Sequence, residues 1–336
     1  MNRRVAESLP IGRVAVGDCL HTMAGWPEAG VDLIFADPPY NIGYKYDEYE
    51  DTRDDADYVR WTEQWIDGCV RLLKPSGSMY ILIGDEYAAE TRVHLKRLEH
   101  DRKLVFRNWI IWHYTFGQNC KLKFNRSHAH LFYCVGPAAF ANWQVKDPPF
   151  TYNRAAIAVP SARQTTYGDR RANPTGKLPD DTWYLRPQDV EKEGVAGFLK
   201  PEEDTWYLSR LCGTFKERQG WHPCQLPEAL LERIIKVSSN EGDVVFDPFV
   251  GSGTTLAVAG RLKRQWLGCE FSKEYAKNAE KRIRYCERTG QTLETDLSEK
   301  GIERGKPKKK AEPQRSTREQ VSREPQTRSP PEGLWQ

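Results

Sequence analysis

The sequence predicts an α/β fold with a largely parallel sheet, helices on both faces and an irregular inserted region. Short apolar runs alternate with segments of helical periodicity up to residue 141, and again from residue 221. Between them, residues 142–220 lose this alternation and are rich in Pro, Gly, Asn and charged residues. Alternation at this spacing is typical of units in which a helix connects two parallel strands.

The first half of the chain contains five predicted strands and two predicted helices. The strands are RVAV, VDLIFA, SMYILIG, NWIIWHY and HLFYCVG, at 13–16, 31–36, 78–84, 108–114 and 130–136. Apolar residues spaced for one face predict a helix over 57–73, which KPSG at 74–77 is expected to end. A shorter helix is expected over 86–99.

Regular order returns after residue 221. A helix is predicted over 227–239, because Pro227 is tolerated at a helix start. The strands DVVF and QWLGCE, at 243–246 and 265–270, then alternate with helices over 254–263 and 272–288. Residues 291–336 are charged, Pro-rich and nearly free of aliphatic residues, so a disordered basic tail is expected.

Composition excludes some classes of function. The net charge is +3, but residues 301–336 hold nine Lys/Arg against five Asp/Glu, so the first 300 residues carry −1. Any nucleic-acid surface must therefore be local. No apolar run approaches the ~20 residues that span a bilayer, which predicts a cytoplasmic protein without a membrane partner. The eight cysteines form no C-x-x-C pair, so free thiols are expected and no metal site.

The stretch DVVFDPFVGSGTT combines a strand, a glycine turn and a helix start. Gly251 and Gly253 would allow a ligand to approach the backbone closely, and Glu270 ends the next strand. The pattern is not the dinucleotide fingerprint G-x-G-x-x-G, and Asp247 would repel a pyrophosphate. A cationic ligand such as S-adenosylmethionine fits better. A dinucleotide site and a turn used only for packing stay open as alternatives.

The stretch ADPPY follows the predicted strand VDLIFA. Pro38 and Pro39 remove two N–H donors, so the strand end is rich in acceptors, among them the Asp37 carboxylate. Such a site suits an exocyclic amine, and Tyr40 offers a flat face to a base rotated out of its duplex. The alternative is an ordinary turn, which is how we interpret the similar DPPF at 147–150, since no buried strand precedes it.

Taken together, these motifs resemble the β group of DNA amino-methyltransferases, in which DPPY precedes the glycine motif. The resemblance covers about residues 1–145 and 221–288. VAVGDCL at 14–20 is similar to the family's third motif, and HPCQLPEALLERII at 222–235 to its tenth, although Cys224–Gln225–Leu226 departs from the usual Thr–Gln–Lys. The resemblance implies a Rossmann-like methyltransferase fold, S-adenosylmethionine as the cofactor, double-stranded DNA as the substrate and base flipping.

The resemblance also implies the site residues. The catalytic residues are Asp37, Pro38, Pro39 and Tyr40. The residues expected to bind the cofactor are Asp18, Cys19, His222, Gln225, Asp247, Pro248, Phe249, Gly251, Ser252, Gly253, Thr254, Thr255 and Glu270. Of these, Asp18 is expected to meet the adenine amine of the donor, and Glu270 the ribose.

The resemblance divides the chain into a catalytic half (1–141), a target recognition region (142–220), a cofactor-binding half (221–290) and the tail (291–336). The expected DNA contacts are basic residues of two patches, Lys121, Lys123 and Arg126 in one and Arg163, Arg170, Arg171 and Lys177 in the other. An Asp at the first DPPY position favours adenine N6. Cytosine N4, a protein or RNA amine, and a DNA-binding module without activity stay open, and the resemblance suggests a homodimer.

Overall fold

The computed structural model describes residues 8–44, 46–114, 122, 124, 126–141, 148–165, 167–183 and 216–295. The first half contains β1 (Arg13–Val16), α1 (Cys19–Ala24), β2 (Val31–Ala36), α2 (Asp55–Leu72), β3 (Leu73–Ile83), α3 (Ala88–His100), β4 (Val105–His113) and β5 (His128–Val135). Short 3₁₀ helices follow at Pro137–Phe140 and Arg154–Ala156. The remaining elements are α4 (Ala162–Thr165), β6 (Thr182–Trp183), α5 (Glu228–Ser238), β7 (Val244–Asp247), α6 (Thr254–Arg261), β8 (Gln265–Glu270) and α7 (Lys273–Thr289).

Eight strands within these ranges form one sheet in the order β1-β8-β7-β2-β3-β5-β4-β6. The pairs from β1 to β3 in this order are parallel, and β5 lies antiparallel between β3 and β4. This arrangement confirms the predicted largely parallel α/β sheet. Residues 114–127 connect β4 to β5, and the two strands pair antiparallel from His113–His128 to Val105–Val135.

The sheet is covered on both faces, as predicted. Along β2, Leu33 and Phe35 belong to one apolar cluster and Ile34 and Ala36 to the other, because successive side chains of a strand point to opposite faces. The first cluster packs against α5, α6 and α7, and the second against α1, α2 and α3. A strand buried on both faces reads as a continuous apolar run, and VDLIFA has this character except at Asp32.

Asp32, the polar residue in β2, contacts both neighbouring strands. The Asp32 carboxylate accepts a hydrogen bond from the backbone N–H of Val244 at 2.9 Å and pairs with Lys74 Nζ at 2.8 Å. Val244 begins β7 and Lys74 lies at the start of β3. One side chain thus ties both neighbouring strands to β2 at the end of the sheet opposite to the DPPY stretch.

The predicted helices match α2, α3, α5, α6 and α7 within two residues at each end. Helix α1 was not predicted, because its six residues are too short to show periodicity. The predicted helix end at KPSG is confirmed, but the strand expected over 78–84 begins before KPSG and not after it. Helix α2 ends at Leu72 and β3 begins at Leu73, so these residues form the first part of a long strand.

The expected boundary of the disordered tail is too early. Residues 291–295 belong to the fold: Leu293 packs against the core, and Thr292 Oγ1 donates to Glu228 Oε2 at 2.6 Å. Thr295 N also donates to the carbonyl of Lys216 at 2.7 Å. Residues 296–336 lie outside the described residues. No helix in the part of the chain that the structure describes is long and apolar enough to cross a membrane.

A buried ion pair joins the last helix to the glycine turn. Arg282 in α7 is 1% exposed, and its guanidinium donates to Glu228 Oε1 at 2.7 Å and to the Ser252 carbonyl at 3.1 Å. It also donates to Thr254 Oγ1 at 3.1 Å. These bonds give a buried charge the partners without which it would be very costly. Arg282 therefore fixes the turn between β7 and α6 from behind.

We expect Arg282→Met to lower the free energy of unfolding by about 3–5 kcal/mol, because it leaves the buried Glu228 carboxylate without its main partner. Urea denaturation measures this change. Arg288→Met, at an exposed position of the same helix, is the matched control and should change stability by less than ~0.5 kcal/mol. Equal effects of the two substitutions would contradict the assigned role.

Candidate active site

The pairing of β2 with β7 brings the two sequence motifs to one edge of the sheet. Leu33 pairs with Val245 and Ile34 with Phe246 in parallel register. Asp247 is the last residue of β7, and Asp37 directly follows β2. Motifs 210 residues apart in the sequence therefore leave neighbouring strands on the same side. In open α/β sheets this carboxyl edge is where ligands bind.

One cavity of about 810 Å³ is lined by both motifs. The cavity includes every predicted catalytic residue and every predicted cofactor residue except Gly253. Those lining it are Asp18, Cys19, Asp37, Pro38, Pro39, Tyr40, His222, Gln225, Asp247, Pro248, Phe249, Gly251, Ser252, Thr254, Thr255 and Glu270. Its volume lies within the range of small-molecule sites, and its two ends differ in chemistry.

The DPPY end is held by hydroxyl groups. The Tyr40 hydroxyl donates to Asp37 Oδ1 at 2.8 Å, and the Tyr58 hydroxyl donates to the Pro39 carbonyl at 2.7 Å. Burial and the neighbouring Asp37 carboxylate raise the pKa of Tyr40, so this hydroxyl remains protonated and remains a donor. The prolines and these two bonds make the stretch rigid.

The glycine turn forms the other end. Gly251 has φ of 50°, and a Cβ there would lie 3.0 Å from the His222 ring, so a side chain would displace that ring. Glu270 Oε2 accepts the Gly251 N–H at 2.7 Å, and Glu270 Oε1 accepts the Ser272 N–H at 2.9 Å. A carboxylate has about four lone-pair positions, so Glu270 shapes the turn and retains capacity for a ligand hydroxyl.

Gly253 packs against a neighbouring helix. It does not line the cavity, and a Cβ there would lie 3.0 Å from the Ala279 Cβ of α7. Its φ of 78° is in the left-handed region. Close packing against α7 and a left-handed backbone conformation each require glycine at this position.

At this end of the cavity, burial shifts the pKa of two groups towards their uncharged forms. Asp247 is 3% exposed, and burial raises the pKa of its carboxyl to about 7, although Phe249 N donates to it at 2.9 Å. Burial also lowers the pKa of His222 to about 4. His222 Nδ1 accepts the Cys224 N–H at 3.3 Å, so the neutral ring carries its proton on Nε2. A cation bound here would favour the ionised Asp247 carboxylate.

Gln225 and Asp18 are partly occupied by the protein itself. Gln225 Oε1 accepts the Gln219 N–H at 2.9 Å, and its Nε2 donates to the Glu217 carbonyl at 2.7 Å. Its amide thus folds residues 217–225 into a wall of the cavity. Asp18 caps α1 by accepting the Leu20 N–H at 2.7 Å. Cys19 beside it is buried, which raises the pKa of its thiol to about 12 and keeps it protonated.

The acidic segment after DPPY also lines the cavity, which the sequence interpretation missed. Its cavity-lining residues are Ile42, Tyr44, Tyr46, Asp47, Glu48, Tyr49 and Arg53. Asp47 Oδ2 accepts the Ser272 hydroxyl at 2.8 Å, so the segment is tied to the end of β8. Arg53 lies 4.7 Å from the centre of the Trp61 ring. The tyrosines interleaved with acids were the available signal, because a solvated acidic loop has no need of aromatic rings.

Most predicted DNA-contacting residues lie away from the cavity, and only Arg126 among the described ones lines it. Arg171 makes a two-point contact with Asp169, at 3.0 Å for both bonds, and Arg163 lies 3.8 Å from the same carboxylate. Lys177 lies 3.6 Å from Asp180. Arg170 is exposed. Lys121 and Lys123 lie outside the described residues.

One cavity thus joins Asp247 and the glycine turn to the rigid, acceptor-rich DPPY stretch. This arrangement is typical of a transferase that binds two substrates side by side. The chain matches the model of the DNA methylase family, which includes N6 and N4 methyltransferases, over residues 31–281. The Type II methyltransferase M.HpaI of Haemophilus parainfluenzae is 32% identical over 272 residues, which cover 81% of this chain and 74% of that protein.

Two further relatives have similar identity. The Type II methyltransferase M.BamHI of Bacillus amyloliquefaciens is 34% identical over 285 residues, covering 81% of this chain and 58% of that protein. The DNA adenine methyltransferase YhdJ of Escherichia coli is 33% identical over 270 residues, covering 80% and 81%. This chain belongs to the N6/N4 DNA methylase family, and is thus a DNA amino-methyltransferase.

We expect Asp247→Asn to stabilise the ligand-free protein at pH 8, since the substitution removes a carboxyl that burial disfavours in its charged form. A raised folded pKa means that this cost is fully present above about pH 7 and disappears as the pH falls towards 4. The gain in unfolding free energy should be about 2–3 kcal/mol larger at pH 8 than at pH 5.

Urea denaturation at the two pH values measures this difference. Asp101→Asn is the matched control, because its side chain is 55% exposed and its substitution should have no such pH dependence. Asparagine keeps an oxygen that can accept the Phe249 N–H, so the comparison isolates the charge. A gain that is equal at both pH values would contradict the assignment.

Proposed function

We propose that this enzyme transfers a methyl group from S-adenosylmethionine to the exocyclic N6 amine of adenine in duplex DNA, after rotating the base out of the helix. The observation that supports this most strongly is the shared cavity. Tyr40 of the acceptor-rich end and Gly251 of the glycine turn line the same space. A transfer between two bound molecules requires their pockets to be contiguous, because the reacting atoms must approach within ~3–3.5 Å.

The glycine end suits the methyl donor. S-adenosylmethionine, when bound, supplies a methyl group on a positively charged sulfur. Asp247, with its pKa raised to about 7, gains its charge most readily beside a cation. Glu270 lines the same cavity and is held by the backbone N–H of Gly251, so its carboxylate suits a ribose hydroxyl. The Asp18 carboxylate, at the start of α1, suits the adenine amine of the donor. Buried His222 remains neutral and does not repel the sulfonium.

The DPPY end suits the amine that receives the methyl group. Its nitrogen is a poor nucleophile while its lone pair is delocalised into the base. The Asp37 carboxylate and nearby backbone carbonyls would accept the amine hydrogens, which favours a tetrahedral nitrogen with a free lone pair. That lone pair would bond to the methyl carbon as the C–S bond breaks, with the sulfur leaving as a neutral thioether and the nitrogen losing its surplus proton through these acceptors. The Tyr40 hydroxyl holds Asp37 in place, and its ring is positioned to stack on the base.

Two observations favour adenine over cytosine. Asp37 occupies the first position of the tetrapeptide, where cytosine-directed relatives usually carry Ser. One relative, 33% identical to this chain, is named a DNA adenine methyltransferase. The N4 amine of cytosine has the same hydrogen-bonding chemistry, so cytosine is the alternative substrate. We also propose that the enzyme acts as a homodimer, on the resemblance alone.

Single-molecule sequencing of DNA from cells expressing the enzyme tests the proposal, because it reports the modified base and its context together. We expect N6-methyladenine at one sequence. Asp37→Ala should abolish this signal, and transfer by the purified variant should fall at least ~100-fold while donor binding persists. Tyr40→Phe, which removes the hydroxyl but keeps the ring, should retain more activity. N4-methylcytosine would refute the assignment to adenine, and full activity of Asp37→Ala would refute the catalytic role.

The recognition region is proposed to be 142–220, with the basic part 154–177 reading the sequence. Its described start is anchored to the cofactor-binding half, since Asn153 Nδ2 donates to the carbonyls of Lys236 and Ser239 at the end of α5. Beyond this anchor Arg170 and Tyr167 are exposed. The pairing of β6 with β4 holds the region again at 182–183. A segment that is anchored at both places and exposes residues between them suits contact with DNA.

Exchanging 154–177 for the corresponding segment of a relative that methylates another sequence should change the site that is modified, with the modified base unchanged. The same sequencing measurement shows this. Exchange of the exposed face of α3 is the control and should leave the site as it was. An unchanged site after the first exchange would contradict the recognition role.

A further inference from the structure

Two apolar side chains beside the cavity are almost completely exposed. Leu122 is 99% exposed and Phe124 is 98% exposed. The other large apolar residues that the described part of the chain exposes range from 39% to 76%. Burying one such side chain contributes roughly 1.5–3 kcal/mol, so full exposure of two residues in one segment is costly unless a partner covers them. We call Leu122 and Phe124 the apolar pair.

The topology places the apolar pair at the active-site edge of the sheet. The pair lies between the end of β4 and the start of β5, and His113 pairs with His128 there. Along the next strand, Ile83 at the end of β3 pairs with His130. The segment therefore leaves the same edge as the DPPY stretch, and Phe124 lines the cavity together with Tyr40.

The charges around the apolar pair match a nucleic acid. In the sequence, Lys121 and Lys123 alternate with the two apolar residues, and Arg126 follows. Arg126 lines the cavity and is paired with Asp85 at 2.7 Å and with Glu86. Arg126 is thus already paired, but lysines that alternate with apolar residues in the sequence suit a polyanion that also offers an apolar interior, as a DNA base stack does.

We propose that Leu122 and Phe124 form a wedge that enters the DNA base stack at the target step when the base is rotated into the cavity. Rotation leaves a gap and costs a few kcal/mol of stacking per step. An apolar side chain that fills the gap offsets this cost. The pair is suited to this because Phe124 lines the cavity that receives the base and Leu122 lies two residues before it in the chain. This proposal rests on the proposed function, since it requires a flipped base.

The test compares the wild type with the double variant Leu122→Ala/Phe124→Ala on two duplexes that carry the methylated sequence. In one duplex the target base is paired, and in the other it faces an abasic site, so its stacking and pairing are already weakened. We expect the double variant to lose at least ~30-fold in kcat/KM on the paired duplex, because it no longer offsets the unstacking cost. On the abasic duplex the loss should be within ~3-fold.

Fluorescence of 2-aminopurine at the target position gives a second readout. It should rise when the wild type binds the paired duplex and rise much less with the double variant. Val93→Ala, at an exposed apolar position of α3 outside the cavity, is the control and should match the wild type in both assays. Donor affinity within twofold of the wild type verifies that the double variant is folded.

Three results would overturn the wedge. These are unchanged activity of the double variant, an equal loss on both duplexes, or a changed oligomeric state with normal fluorescence, which would assign the apolar pair to a contact between copies. The proposed function is tested separately by the wild type. If the wild type methylates neither duplex, that function fails, whereas an active wild type with an unaffected double variant refutes the wedge alone.

Discussion

The parallel pairing of β2 with β7 is the interaction on which the site depends. It joins strands that are more than 200 residues apart in the sequence, and it brings Asp37 and Asp247 to the same edge of the sheet. Asp32 fixes the start of this pairing through the Val244 N–H. A slip of one residue would turn each side chain of β7 to the opposite face, so the register is set by burial as well as by this bond. Because β2 and β7 are neighbours in the sheet, the order of the two motifs along the chain does not prevent them from forming one site.

Buried charges in this protein divide into two kinds. Arg282 is surrounded by acceptors and an opposite charge, and its bonds serve the fold. Asp247 and His222 have their pKa values shifted towards the neutral form, because the protein supplies them with too little compensating charge. Stability alone would not select Asp247. A carboxyl that destabilises the empty protein is understandable when a cationic ligand restores its favourable environment.

The sequence predicted the fold where local pattern and burial agree. VDLIFA and the helical face of 55–72 could be assigned because their side chains alternate or recur with the period of the element. KPSG follows the helix end as predicted, but it belongs to β3, where the pairing with β2 shifts register between Val31–Leu73 and Leu33–Ser78, and a sequence pattern does not show such a shift. Likewise, glycine at 253 indicated a special conformation, but only the structure shows that α7 packs closely against it.

The sequence predicted the cavity-lining residues of the two motifs, but it did not predict those of the acidic segment that follows DPPY. The reason is specific to that segment. Asp51 is 1% exposed and accepts the N–H groups of Asn41, Ile42 and Tyr44. Composition cannot distinguish an acid that accepts several backbone N–H groups from one that faces water. Here the N–H groups point to Asp51 because the chain turns at Asn41, whose φ is 57°. These bonds hold the chain immediately after Tyr40, while the contact of Asp47 with Ser272 holds the same segment to the glycine half. The two ends of the cavity are therefore connected twice, within the sheet by β2 and β7 and above it by this segment. A change at either connection alters the distance between donor and acceptor, on which transfer depends.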